Sequence, residues 1–129
     1  EKAIEVLDFV GLANFANSPV STISQESKKR VAIALALATD PKVIFLDEPA
    51  AGINPGETDG LAELMKKIVD SGITVCTIEH KMQMIMGLAD NIMVLNHGAK
   101  IAQGTPEEIQ NNPTVIEAYL GGESSAEVI

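Results

Sequence analysis

Two acidic residues, Asp47 and Glu48, stand side by side at the end of a short apolar run, and a histidine, His80, closes the next such run. Neighbouring carboxylates on an extended chain diverge, so this pair is poorly placed to share one proton and suits two separate tasks. Asp47 suits a magnesium ion, held directly or through water, and Glu48 suits orienting and polarising an attacking water. An imidazole delivered to the same edge could contact a phosphate oxygen and that water. Read alone, Asp47-Glu48-Pro49 fits a strand ending in a turn equally well, and a lone histidine fits a helix cap. The repetition at the ends of two successive apolar runs is what favours chemistry. His97, in a polar turn before Gly98, is read as a turn residue only. Met82 and Met86 recur with Ile85 at helical spacing, which favours core packing over a soft-metal site.

The elements that must position these groups follow from the pattern. Val43 to Leu46 is continuously apolar and rich in strand formers, as expected of a strand covered on both faces, and Ile73 to Ile78 is a second strand candidate. Before them, a short helix is expected from Ala3 to Val10, ending near Gly11, and a polar loop from Asn14 to Ser24. A helix follows from Glu26 to Thr39, with Val31, Ala34, Leu35 and Ala38 on one face. Asn54-Pro55 reads as an N-cap and first helical position, followed by a buried stripe of Leu61, Leu64, Met65 and Ile68 down to Gly72. After His80 comes a helix striped by Met82, Ile85, Met86 and Ala89. Ile92 to Leu95 and Lys100 to Gln103 form a hairpin around Asn96-His97-Gly98, and two short helices are expected at Pro106 to Gln110 and Pro113 to Leu120. Strand, helix, strand, helix, strand is the order of an α/β fold with a mainly parallel sheet.

Composition narrows the function. The 129 residues carry nine Lys and Arg against eighteen Asp and Glu, a net charge of −9 with no basic cluster. That argues against a nucleic-acid partner, because phosphate neutralisation dominates such binding. The chain is 46% apolar, yet has no Trp and only 3% aromatics, so its core must be aliphatic. Cys76 has no second cysteine to pair with, which suits a reducing, cytosolic setting. No run is long and apolar enough to span a bilayer. The start at Glu1-Lys2-Ala3, without Met, reads as the start of a piece, and Glu123 to Ile129 as a polar tail.

Taken in order, these segments resemble the nucleotide-binding subunits of ABC transporters from Glu1 to about Gly122. Val43-Ile44-Phe45-Leu46-Asp47-Glu48 resembles the Walker B strand with its catalytic glutamate, Ala51-Gly52-Ile53-Asn54-Pro55 the D-loop, and Ile78-Glu79-His80 the switch-histidine loop. Arg30-Val31-Ala32-Ile33-Ala34 resembles the helix after the signature motif. The resemblance implies the carboxyl-terminal half of such a domain over residues 1–122, a partial P-loop NTPase (RecA-like) core. Residues 1–25 would be a remnant of the helical subdomain, 26–122 the core, and 123–129 the tail. It implies Glu48 as base, Asp47 for Mg2+, His80 as γ-phosphate sensor, and Ser24, Gly52 and Asn54 as contacts to ATP. Implied partners are a second ATPase subunit, in a homo- or heterodimer, and transmembrane permease subunits, with the chain cytoplasmic and peripheral on the inner face of the cell membrane. Ala50 to Thr58, Glu79-His80-Lys81-Met82, Gly104-Thr105-Pro106 and Ala118-Tyr119-Leu120-Gly121 most resemble ATPases of branched-chain amino-acid importers. The lipopolysaccharide-exporter ATPase is a close relative, and a non-catalytic dimerisation or regulatory module is the rival from another class.

Three departures qualify that resemblance. No Gly-x-x-x-x-Gly-Lys-Ser/Thr occurs, so nothing here cradles phosphates in backbone amides, and the segment alone is expected to be inactive. The signature Leu-Ser-Gly-Gly-Gln falls on Ile23-Ser24-Gln25-Glu26-Ser27, where only the serine remains. A Glu26 carboxylate facing a phosphate 4 Å away would cost roughly 4 kcal/mol at an effective dielectric of about 20, so Glu26→Gln is expected to speed turnover; equally, Thr22-x-x-Gln25, or Ser24 alone, is simply a helix cap. Finally, the family's phosphate-loop strand would lie between the strand ending at His80 and Ile92 to Leu95. Without it the sheet must close up, leave an edge open, or borrow a strand, so self-association is expected.

Overall fold

The computed structural model describes residues 1–120. They fall into two units, one from Glu1 to Lys81 and one beginning at Met82.

In the first unit, helix α1 (Lys2–Phe9) leads through two 3₁₀ turns to α2 (Gln25–Leu37), β1 (Val43–Asp47), α3 (Pro55–Asp70) and β2 (Thr74–Ile78). Gly11 ends α1 because its φ of 79° is left-handed, which a glycine adopts without a Cβ clash. The amides of Gly11 and Leu12 then turn back onto the carbonyls of Asp8 and Leu7. Two cations complete that end: Arg30 of α2 donates to the Val10 carbonyl at 2.9 Å, and Lys67 of α3 to the Phe9 carbonyl at 2.7 Å. The Lys67 ammonium also sits 4.3 Å from the centre of the Phe9 ring. At the other end of α3, Asn54 accepts from the Glu57 amide while the Glu57 carboxylate accepts from the Asn54 amide, and Pro55 occupies the first turn.

The expected stripe of α3 is buried: Leu61, Leu64, Met65 and Ile68 are all at most 4% exposed. The expected face of α2 needs correction. Ile33, Ala34 and Leu37 are buried there with Ser27, whereas Leu35 is 70% exposed and Ala38 is exposed. From Val31 to Ala38 every residue is apolar, so spacing alone cannot single out one face.

β1 and β2 pair in parallel, Val43 opposite Thr74 and Asp47 opposite Ile78, with α3 as the crossover. β1 is not covered on both faces as its apolar run suggests. Ile44 is buried and Leu46 half-buried, but Val43, Phe45 and Ile78 on the opposite face are 46%, 78% and 61% exposed. Cys76, the register partner of Phe45, is exposed as well. Among the described residues no second layer covers the apolar side chains of this face.

The second unit holds α4 (Met82–Leu88), the antiparallel pair β3 (Ile92–Asn96) and β4 (Ala99–Gly104), α5 (Pro106–Gln110) and α6 (Pro113–Val115). The turn at His97-Gly98 has both φ values positive, at 47° and 79°, the form that matches strand twist in a two-residue hairpin. Val94, Ile109 and Val115 form the core, with Met86, Ile92, Ile101 and Ala102 packed against them. The methionine stripe of α4 is core as expected, although Met84 and Ile85 are its buried members. After α6 the chain widens into a π-helical turn, Ile116–Leu120, so only the start of the expected Pro113 to Leu120 helix is α-helical. Its Tyr119 hydroxyl donates to the Leu95 carbonyl. Among the described residues the strands thus form two two-stranded sheets, each with open edges. The expected tail, residues 123–129, lies outside the described residues.

Candidate functional site

Because β1 and β2 run in parallel and in register, the residues that follow them emerge at one rim. The Glu48 amide donates to the Ile78 carbonyl at 2.8 Å, extending the ladder by one bond past β1. There the backbone turns: Glu48 has a φ of 47°, a left-handed conformation that costs a non-glycine residue about 1 kcal/mol and persists where neighbours hold it. The turn aims the Glu48 side chain out to meet His80. Glu48 Oε1 lies 3.7 Å from His80 Nδ1, with the His80 and Glu48 side chains 66% and 50% exposed. The two groups the sequence singles out as base and sensor are therefore neighbours, set slightly wider than a direct hydrogen bond.

Asp47, the last residue of β1, is exposed at the same end. Among the described residues no three His, Cys, Asp or Glu side chains are grouped to hold a metal ion. A single exposed carboxylate nevertheless fits magnesium, which keeps several waters and takes one or two carboxylates beside its phosphate ligands.

Between Glu48 and α3, Gly52 is exposed with a φ of 76°, and a Cβ built there would meet nothing within 4 Å. Only its backbone conformation calls for glycine. Asn54 is the N-cap already described, so its side-chain oxygen is engaged with the Glu57 amide. Ser24 likewise caps α2: its hydroxyl accepts from the Ser27 amide at 3.1 Å and bonds the Ser27 hydroxyl at 3.0 Å. Ser24 is thus a helix cap, as its alternative reading has it, and Asn54 is the N-cap expected of Asn54-Pro55. Glu26 does not present an unscreened charge. Its carboxylate pairs with Arg30 one turn on, and the two side chains are only 16% and 20% exposed. A Cβ placed on Gly60 of α3 would stand 3.1 Å from the Arg30 guanidinium, which leaves little room to unseat it. The expected clash with a phosphate therefore loses its premise.

Two residues flanking the histidine were given no role by the sequence. Glu79 Oε1 accepts from the Ala50 amide at 2.8 Å. The Lys81 ammonium donates to the Ala50 carbonyl at 2.9 Å and to the Ile53 carbonyl at 3.4 Å. Alternation along an extended segment was the available signal, since 79 and 81 must point one way and 80 the other.

The ABC transporter family model matches residues 1–51, and the model of the branched-chain amino acid ATP-binding cassette transporter matches residues 99–125. The high-affinity branched-chain amino acid transport ATP-binding protein BraF of Pseudomonas aeruginosa is 46% identical over 122 residues, 94% of this chain and 48% of BraF. This chain belongs to the ABC transporter ATP-binding family. LivG of Escherichia coli, with the same description, is 43% identical over 94% of this chain and 48% of its own length. The crystal structure of the ADP conformation of MJ1267, an ATP-binding cassette of an ABC transporter, superposes with a TM-score of 0.85 at 31% identity, over 93% of this chain and 49% of that one. The fold is accordingly that of an ABC ATPase cassette, α/β and of the P-loop NTPase class. The chain spans about half the length of these ABC relatives.

Proposed function

We propose that this chain is the carboxyl-terminal half of an ATP-hydrolysing subunit of an ABC importer for branched-chain amino acids. The observation that carries the reading is the shared rim, with Glu48 and His80 3.7 Å apart at the ends of two parallel strands. In this reading Glu48 orients and polarises the attacking water, and His80 contacts the γ-phosphate. Asp47 would hold Mg2+, which when bound offsets phosphate charge. Ser24, Gly52 and Asn54 are the further nucleotide contacts, Ser24 acting across a dimer of such subunits; the Ser24 and Asn54 oxygens divide that duty with capping. Binding and release of ATP would close and open the dimer and so drive permease partners in the membrane. That work places the subunit on the cytoplasmic side of the membrane, and among the described residues no helix is long and apolar enough to cross it.

The match over residues 99–125 supports the branched-chain class over the lipopolysaccharide-exporter alternative. Identity with BraF and LivG supports it as well. The domain reading carries over: residues 1–25 from the helical subdomain, 26–122 from the core, 123–129 a tail. The exposed Val43, Phe45 and Ile78 face would seat the remainder of the sheet layer in the whole subunit, and in its absence a second copy.

The test is ATP turnover by the full-length subunit. Glu48→Gln should lower kcat by about 10²-fold or more while nucleotide affinity stays within about threefold, because it removes the base and little of the binding. Hydrolysis at the parent rate would overturn the reading. Leucine uptake driven by the assembled transporter, against uptake of an unrelated amino acid, tests the substrate class.

A further inference from the structure

Glu79 and Lys81 are absorbed by none of the roles above, yet both are spent on one residue of the opposite loop. Ala50 is fully buried, and both of its backbone polar groups go to side chains from the end of β2: its amide to Glu79 and its carbonyl to Lys81. Lys81 reaches on to the Ile53 carbonyl, and Glu48 is already bonded to Ile78. Residues 78, 79 and 81 thus stitch the segment 48–53 to the strand that carries His80. His80, between them, is exposed, whereas Glu79 and Lys81 are half-buried.

A loop holding a left-handed Glu48 needs such fixing, because a residue other than glycine persists in that region only where its surroundings over-determine it. Glu79 is suited to the task. One carboxylate oxygen takes the Ala50 amide, while the other is buried with no hydrogen-bond partner among the described residues, so the side chain is held there by that single bond.

We propose that Glu79 and Lys81 are positioning residues, a two-sided clamp on Ala50 that keeps Glu48 and His80 in one rigid arrangement. The proposal rests on the reading of that pair as base and phosphate sensor. Loosening the clamp should then impair the chemical step more than nucleotide binding, because both side chains are engaged with the backbone of the loop that carries Glu48.

The experiment uses the full-length ATPase and reads two quantities, amide exchange at Ala50 and the kinetic constants for ATP. In Glu79→Ala, Ala50 exchange should rise at least about tenfold, as loss of one charge-assisted bond implies. Its kcat should fall by about tenfold with KM within about twofold, as a small misplacement of the base implies. Glu79→Gln keeps an acceptor oxygen for Ala50 and should restore both. Lys81→Met should lower kcat alike, and it carries the comparison if Glu79→Ala does not fold. Unchanged exchange in Glu79→Ala overturns the clamp, and faster exchange with unchanged kcat overturns its positioning role. Parent-rate hydrolysis by Glu48→Gln overturns the underlying reading instead, and the exchange data tell those two failures apart.

Discussion

Glu26 illustrates what a residue's charge means once its neighbour is known. From the sequence it is an anion inserted into a loop that resembles a phosphate-facing motif; in the fold it is mostly buried and paired with Arg30, which also ties α2 to the end of α1. Nothing in the local pattern ruled out this i, i+4 pair, but nothing said that Arg30 would be pinned between Val10 and Gly60 either. The consequence reverses the expectation for Glu26→Gln. Turnover in the full-length protein should stay within about twofold of the parent, while stability falls by about 1–2 kcal/mol as Arg30 loses its counter-ion. Arg30→Met should cost more, about 3 kcal/mol, because it strands the Glu26 carboxylate. Thermal or denaturant unfolding of the two variants checks both figures, and faster hydrolysis in Glu26→Gln would restore the clash. At the same scale the placement of the candidate site was legible: Asp47, Glu48 and His80 stand at the ends of two paired strands, where their types and positions in the sequence put them. Glu79 and Lys81 were not, because their roles are to bond backbone groups of a loop whose path is not written in local sequence.

Among the elements, α3 was the most legible and α2 the least. Asn54-Pro55 with Glu57 encodes a start, Gly72 an end, and the apolar residues between occur at unambiguous spacing. α2 has an apolar run with no polar residue to mark its outer side, so Leu35 was placed inward when it faces out. The cap of α3 matters because it fixes where the loop from Glu48 must arrive. Asn54→Ala should lower stability by about 1 kcal/mol, and Asn54→Gly by a few tenths only, in denaturant titrations. Leu61→Ala, at the fully buried centre of the stripe, should cost about 2–5 kcal/mol in the same assay. An equal effect of all three would mean that the capping geometry is not retained in solution.

For the molecule as a whole, the largest difference from expectation is the bare face of β1 and β2. The run Val43 to Leu46 carries the signature of a strand buried on both sides, yet one side is open in the described residues. A sequence records the environment for which it was selected, and an apolar face of this kind implies a layer that these residues do not supply. The 129-residue segment, produced alone, should therefore self-associate, with a light-scattering mass above the monomer that rises with concentration. Phe45→Lys, on the exposed face, should shift that mass toward the monomer. A monomer at all concentrations would show that the face is tolerated in water.

The claim on which the enzymology turns is that Glu48 and His80 work as one unit at one rim. A double-mutant cycle on ATP hydrolysis by the full-length subunit, with Glu48→Gln, His80→Ala and the pair, measures it most directly. Each single change should lower kcat by about 10²-fold or more, and the double variant should be no slower than the worse single, the non-additivity of groups that share one step. Losses that simply multiply in the double variant would mean that the two side chains act apart, contradicting the account.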